Sequence, residues 1–329
     1  MRRYKKNPGP AGLLTLLVLA SCATAPKTPE FSFNGPLPLE SGAMVYLVAD
    51  VPPARSFLDR FGIGGLGKED AAQVLDRTRY AAVALFPPDS EISLQAAAWG
   101  NYPSFGARLA LTGDRGWKKQ RSPAGPFWYS AERNISLAFN NTRAFAALGP
   151  EDSGAKAGAG PAAGPYTQGP GVNAPESFNA FRGEAPLALW MENPAAFLDR
   201  FFSALRLPIR IPAEELLAAL SIVPGSDSPE PDAGPTAGPG GTGPLYEIRL
   251  RIKAPSTTNA RTLMTLFSTV RLFIPGTGAA GSGIVELLSL LFARPPEQEG
   301  LYLTLRTAPM GEEDVALLFS LFSVYSGQT

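Results

Sequence analysis

The sequence predicts an α+β protein made of two divergent repeats, each mixing helices with antiparallel sheet. Three observations lead to this prediction. The pentapeptide FLDRF occurs at Phe57–Phe61 and again at Phe197–Phe201. A similar order of predicted elements surrounds both copies. Gly/Pro-rich stretches separate the segments that have apolar periodicity. We therefore expect a first repeat at residues 41–148 and a second at residues 181–329.

Each repeat opens with an apolar run typical of a strand, Val45–Val48 and Leu187–Met191, which leads through proline into a helix. Pro53 and Pro194 suit the first turn of a helix, where a missing N–H costs nothing. The Phe and Leu positions of FLDRF then share one helical face, so the motif is predicted to be a packing helix. The Asp-Arg pair between them is predicted to face solvent.

A second helix is predicted at Lys68–Arg77 in the first repeat and at Pro212–Ser221 in the second, because both begin with acidic residues. Strands follow in each repeat, and Leu245–Lys253 has the clearest alternation of apolar and polar residues.

A further helix is predicted after Pro103 in the first repeat and after Pro255 in the second. A short helix at Thr142–Leu148 is expected to close the first repeat. The second repeat has an extra apolar helix, Gly283–Arg294, and closes with the helix Glu312–Ser326.

Gly and Pro supply 67 of the 329 residues. Residues 149–180 are predicted to be a flexible linker, and residues 224–244 a flexible insertion in the second repeat, because neither has enough apolar side chains to offset its ordering entropy. Residues 22–40 are rich in proline, which favours an extended tether.

Residues 1–21 are predicted to be an export signal peptide. Arg2, Arg3, Lys5 and Lys6 precede a short apolar run that is too short to span a bilayer. The run ends in Leu19–Cys22, with sequence LASC, which resembles the lipobox of bacterial lipoproteins. The resemblance implies cleavage before Cys22, a diacylglyceryl thioether on its sulfur and an acyl chain, commonly palmitate, on its amino group. Membrane lipid is thus the first expected partner. Ala23 rather than Asp favours passage to the outer membrane, and the membrane face is left open.

Composition excludes several classes of function. The chain has no histidine, and its single cysteine is Cys22, so His- or thiol-based catalysis and His- or Cys-ligated metal are excluded. From Cys22 onwards the net charge is −4, which argues against nucleic acid and against a polybasic grip on lipid, so the acyl anchor is expected to supply most of the membrane attachment. We predict no enzyme activity, no metal and no cofactor. A carboxylate-dependent hydrolase is the weakest alternative.

The second repeat has helices that are apolar almost all round. Such helices must be buried or must meet lipid, a ligand or a partner. The candidate surface for an apolar ligand or the membrane consists of Leu263, Leu266, Phe267, Leu287, Leu288, Leu291, Leu318, Phe319 and Phe322. The alternative is an envelope scaffold or protein-interaction module in which these helices are fully buried. Two interpretations are also open for the aromatic run Phe127–Tyr129 with Trp117: these rings stack on a sugar or lipid, or they pack in a core.

The plan of tether, two α+β repeats and apolar helices resembles that of spirochaete-type envelope lipoproteins. It is similar to treponemal outer-membrane lipoproteins with a mixed α/β fold, amphipathic helices and a hydrophobic cavity. This resemblance implies association with the outer membrane and lipid handling. The sequence therefore favours a non-enzymatic, membrane-anchored protein that binds lipid or another apolar ligand.

Overall fold

The computed structural model describes residues 36–61, 74–87, 90–149, 165–166, 171–183, 185–204, 210–223, 244–273 and 289–316. The chain divides into two compact units, unit 1 at Met1–Pro175 and unit 2 at Glu176–Thr329. Each unit combines helices with antiparallel strands, which confirms the α+β class. The sequence placed a flexible linker at residues 149–180. Part of that segment is folded, because a helix begins at Glu176 and Val172 pairs with Leu37 in an isolated bridge.

Seven strands and two longer helices lie among the described residues of unit 1. In chain order they are β1 (Val45–Asp50), α1 (Val51–Phe61), β2 (Thr78–Leu85), β3 (Leu94–Gly100), α2 (Ser104–Gly113), β4 (Lys118–Ser122), β5 (Gly125–Ser130), β6 (Ile135–Phe139) and β7 (Arg143–Leu148). The spatial order is β1-β2-β3-β7-β6-β5-β4, with every pairing antiparallel. The strands β4 to β7 therefore extend the sheet beyond the three that open the unit.

Five strands and three longer helices lie among the described residues of unit 2. They are α3 (Glu176–Arg182), β8 (Leu187–Glu192), α4 (Ala195–Ala204), β9 (Glu215–Ile222), β10 (Tyr246–Lys253), α5 (Thr257–Phe273), β11 (Glu297–Glu299) and β12 (Tyr302–Arg306). The spatial order is β8-β9-β10-β12-β11, again antiparallel. Both units thus share the order strand, helix, strand, strand, helix among their longer elements, from β1 to α2 and from β8 to α5. Unit 1 also has helical residues at 74–77, the described end of the helix predicted at Lys68–Arg77.

Both FLDRF copies lie in helices that follow the opening strand, as predicted. Phe57–Phe61 ends α1, and Phe197–Phe201 lies within α4. Leu198 is buried, but the Asp199 carboxylate does not simply face solvent, because its Oδ1 accepts a hydrogen bond from the Ile211 backbone N–H at 3.3 Å. The motif therefore contributes to packing and also fastens the chain that enters β9.

The helix predicted at Pro212–Ser221 is wrong, because this segment forms the interior strand β9. Glu, Leu and Ala are good helix formers, and Leu216, Ala219 and Leu220 have helical spacing. However, β9 pairs with β8 on one side and with β10 on the other. The neighbouring Leu216 and Leu217, which point to opposite faces of the strand, are both buried. Burial on both faces produces a continuous apolar run that cannot be distinguished from a helix by periodicity.

The short helix predicted at Thr142–Leu148 is also wrong, because residues Arg143–Leu148 form β7. This strand pairs with β3 and β6 along its length. The Asn140 side chain stabilises the turn that precedes β7. Its Oδ1 accepts hydrogen bonds from the backbone N–H groups of Thr142 at 2.9 Å and Arg143 at 2.7 Å. This asparagine turn starts a hairpin and overrides the helical preference of the alanines that follow.

Candidate functional site

Helix α5 provides the first group of predicted site residues, and its apolar side is part of the core of unit 2. Leu263 and Phe267 are 2% and 0% exposed, and Leu266 is partly buried. On the opposite side of α5, threonine hydroxyls donate to carbonyl oxygens one turn earlier, as in Thr265 to Arg261 at 3.0 Å and Thr269 to Thr265 at 2.8 Å. The helix is therefore amphipathic, with its apolar face already covered.

The end of the predicted extra helix packs on this buried face. Leu291 and Phe292 are buried, and the ring of Phe292 stacks on that of Phe267 with centroids 5.5 Å apart. The Leu290 carbonyl accepts a hydrogen bond from the Ala308 N–H at 3.0 Å, which ties this segment to the chain after β12. Three predicted site residues, Leu263, Phe267 and Leu291, therefore lie in the core.

The remaining predicted site residues lie outside the described part of the chain, and so does Cys22. These site residues are Leu287, Leu288, Leu318, Phe319 and Phe322. The start of the closing helix is described at residues 312–316. Asp314 Oδ2 accepts from the Gly311 N–H at 3.1 Å, and Val315 is fully buried. The predicted helix Glu312–Ser326 thus begins where the sequence placed it, with its first apolar residue in the core.

The aromatic residues of unit 1 are buried on two faces of its sheet. On one face Trp117 and Trp128 pack with Ala107 and Leu111 of α2. On the other face Phe127 and Tyr129 form a cluster that Tyr166 helps to cover. Trp128 is 1% exposed and Phe127 is 3% exposed. This burial supports the core interpretation of the Phe127–Tyr129 run over sugar or lipid stacking.

Two buried polar groups of unit 1 serve the fold. Gln95 is 1% exposed; its Oε1 accepts from the Glu40 N–H at 2.6 Å, and its Nε2 donates to the Pro165 carbonyl at 3.3 Å. The Tyr102 hydroxyl lies 3.0 Å from Thr78 Oγ1, and burial raises the pKa of Tyr102 to about 12 although this hydrogen bond acts in the opposite direction. Each group therefore joins separate segments of unit 1 through its hydrogen bonds.

Among the described residues, no three His, Cys, Asp or Glu side chains converge in a way that could hold a metal ion. Within the same residues, no helix combines the length and the apolar character needed to cross a bilayer.

Solved structures share this fold. Crystal form III of TP0453 matches with a TM-score of 0.55 at 17% identity, covering 87% of this chain and 97% of that one. Crystal form IV of the same protein gives a TM-score of 0.54 at 16% identity, with coverages of 87% and 96%. No curated protein matches the chain. The fold is therefore similar to that of TP0453.

The sequence itself places the chain in a family. Residues 36–219, more than half of the chain, match the model of the family described as outer membrane-associated lipoprotein TP0453. The chain belongs to this family. It is accordingly an outer membrane-associated lipoprotein, which confirms the predicted resemblance to treponemal lipoproteins and the predicted location in the envelope.

Proposed function

We propose that this protein is a non-enzymatic lipoprotein, held in the membrane by acylated Cys22, that binds lipid or another apolar ligand through the apolar helices of unit 2. The observation that carries the proposal is the packing of Leu291 and Phe292 against α5. This contact brings the end of an apolar segment to the core, while the sequence before it, Ile284–Leu290, has only Glu286 and Ser289 as polar residues.

The burial of α5 narrows the candidate surface. Leu263, Phe267 and Leu291 are used in packing, so they support the ligand-binding residues instead of contacting a ligand in the folded state described. The contacts with lipid are then assigned to Leu287 and Leu288 of the extra helix and to the closing helix. A helix that is apolar on nearly all sides is either buried or in contact with lipid, a ligand or a partner, and the proposal takes the second of these.

Duplication of one ancestral unit is the second part of the proposal. The order strand, helix, strand, strand, helix is the same in both units, and FLDRF lies in the first helix each time. The sheet orders β1-β2-β3 and β8-β9-β10 also correspond. A backbone superposition of these two five-element sets tests the duplication. On this view, unit 2 is the copy that acquired ligand binding, and its extra apolar segment is the difference that accounts for it.

Native mass spectrometry tests ligand binding directly. A shortened chain that begins at Ala23 is expected to carry co-purified lipid, and to float with neutral phosphatidylcholine vesicles. Leu318→Gln with Phe322→Gln should abolish both, since two apolar contacts are lost. Met44→Gln is the control, because Met44 is a 42% exposed apolar residue of unit 1. Protein free of lipid that ignores the vesicles would refute the proposal.

An envelope scaffold is the second candidate, favoured by the burial of Leu263, Phe267 and Leu291. In that case the closing helix is also core, and Leu318→Gln should lower the free energy of unfolding by several kcal/mol, as expected for a polar group buried without a partner. Urea unfolding distinguishes the candidates: a ligand-contacting position loses lipid with little loss of stability, and a core position loses stability.

A further inference from the structure

Positive charge is concentrated in one continuous part of unit 1, residues 104–148, whose backbone the structure describes throughout. This segment has seven basic and two acidic residues, a net charge of +5, whereas the chain from Cys22 onwards has −4. The rest of that chain therefore carries −9. The basic residues are Arg108, Arg115, Lys118, Lys119, Arg121, Arg133 and Arg143.

Several of these cations surround a single aromatic cluster. Trp128 stacks on Phe139 with centroids 5.2 Å apart, and both pack with Trp117. Lys119 Nζ lies 5.8 Å from the centre of the Trp128 ring, and Arg133 Cζ lies 5.8 Å from that of Trp117. Both distances are within the range of cation–π attraction. Lys119 remains exposed in this position, and Arg133 is partly buried.

Helix α2 adds a charged and an apolar residue to the same surface. The Arg108 guanidinium donates through Nη2 to the carbonyl oxygen of Phe139 at 3.3 Å, which holds it beside the aromatic cluster. The next residue, Leu109, is 66% exposed, more than any other large apolar side chain that the structure describes. An apolar side chain among cations is the composition of a surface that enters a lipid headgroup region.

The charges of this segment are not neutralised within the described chain. Six of the seven basic residues are exposed, Arg133 being partly buried, and none forms an ion pair with a described carboxylate. Of the two acids, Asp114 accepts from the Gly116 N–H at 2.8 Å, and Glu132 is exposed. In unit 2, by contrast, cations such as Arg251 and Arg294 pair with glutamates.

Protection of a sheet edge accounts for part of this pattern only. Lys118, Lys119 and Arg121 lie on β4, the last strand of the sheet, where charge prevents edge-to-edge association. Arg108 lies in α2, and Arg133 lies in the turn between β5 and β6, so neither protects that edge. Their convergence on the aromatic cluster of Trp117 and Trp128 requires a different explanation.

We propose that the side of residues 104–148 that carries Arg108, Lys119, Arg121 and Arg133 is a docking surface for the anionic phospholipid headgroups of the membrane in which the lipoprotein is anchored. Basic residues close to an anionic membrane each contribute about 1 kcal/mol to attachment. The predicted net charge hid this surface, because acids elsewhere outnumber its cations. The inference involves unit 1 and is independent of the apolar ligand assigned to unit 2.

Vesicle flotation tests the proposal with the same shortened chain, which begins at Ala23 and carries no acyl anchor. Binding to vesicles containing phosphatidylglycerol should exceed binding to pure phosphatidylcholine, and should fall as salt is raised. The triple variant Arg108→Gln, Lys119→Gln, Arg121→Gln removes exposed cations from the Trp128 side of the sheet and should lose roughly 100-fold in partition coefficient, about fivefold for each charge. Leu109→Ser should weaken binding without changing the dependence on salt.

A matched control removes the same charge from exposed residues of unit 2, as Arg210→Gln, Arg261→Gln, Arg271→Gln. This control should retain nearly all the preference for phosphatidylglycerol, and circular dichroism should confirm that both triple variants are folded. Equal loss in the two triple variants would overturn the proposal. A second result would also overturn it: the docking surface retains the protein on a heparin column, but the protein does not bind anionic vesicles. That result would indicate an acidic macromolecule as the partner. Binding to neutral vesicles belongs to unit 2 and does not affect this result.

Discussion

The ring of Phe292 stacks on the ring of Phe267, with their centroids 5.5 Å apart and their planes 29° apart. The two residues lie on separate segments, one in α5 and the other at the end of the apolar stretch before β11. Both are nearly inaccessible to solvent. This contact is where the described core of unit 2 meets the segment to which we assign ligand binding.

Phe267→Ala should therefore destabilise the protein strongly. Removing a fully buried phenylalanine costs about 3–5 kcal/mol, because apolar burial is lost and a cavity remains. Urea unfolding followed by circular dichroism measures the change. Leu109→Ala is the control, since Leu109 is 66% exposed and its truncation should cost less than about 0.5 kcal/mol. Equal effects of the two substitutions would mean that Phe267 is not in a packed core.

Gly100 and Gly113 form a contrasting pair. A Cβ on Gly100 would overlap the backbone carbonyl oxygen of Arg77, which is already the acceptor for the Asn101 N–H at 2.8 Å. Gly100→Ala should cost at least about 2–3 kcal/mol, because a backbone atom cannot move aside cheaply. A Cβ on Gly113, at the end of α2, meets nothing, so Gly113→Ala should be neutral or up to about 0.5 kcal/mol stabilising. Thermal unfolding compares the two.

Alkaline pH should destabilise the protein through Tyr102. Burial raises its pKa to about 12, whereas the unfolded value is about 10. The folded state thus favours the protonated hydroxyl. The resulting contribution to the free energy of unfolding is complete below about pH 10 and disappears as the pH rises through 12. The loss amounts to about 2–3 kcal/mol. Urea unfolding between pH 9 and about 12 measures it, as a slope steeper than in Tyr102→Phe.

At neutral pH, Tyr102→Phe should cost about 0.5–1.5 kcal/mol, because the hydrogen bond with Thr78 Oγ1 is removed. That deficit should shrink as the wild type loses stability in alkali. Parallel curves for the two proteins over the whole pH range would contradict the assigned pKa.

Gln95→Leu should loosen two distant segments of unit 1 together. The side chain accepts from the Glu40 N–H and donates to the Pro165 carbonyl, so the substitution leaves both groups without this partner. We expect a loss of about 1–3 kcal/mol and faster hydrogen exchange at Glu40. Gln298→Leu, on a short strand of unit 2 where the side chain is exposed, is the control and should leave exchange at Glu40 unchanged. Unchanged exchange in Gln95→Leu would contradict the role assigned here.

Local sequence patterns predicted the elements that depend on local physics. The alternation of Tyr246–Lys253 predicted β10, because its apolar residues face a core on one side only. Proline after an apolar strand predicted the helices that hold FLDRF. The order of basic residues, apolar run and LASC predicted a lipoprotein, and the family match confirms that class.

Tertiary structure decided the assignments that depend on distant partners. Glu215–Ile222 is a strand because β8 and β10 pair with it, although its own residues favour a helix. Arg143–Leu148 is a strand for the same reason. The basic surface around Trp117 and Trp128 exists only because α2 and the hairpins β4 to β7 bring scattered cations together. Propensity and charge totals are sums along the chain, whereas pairing and charge clustering depend on which residues become neighbours in space.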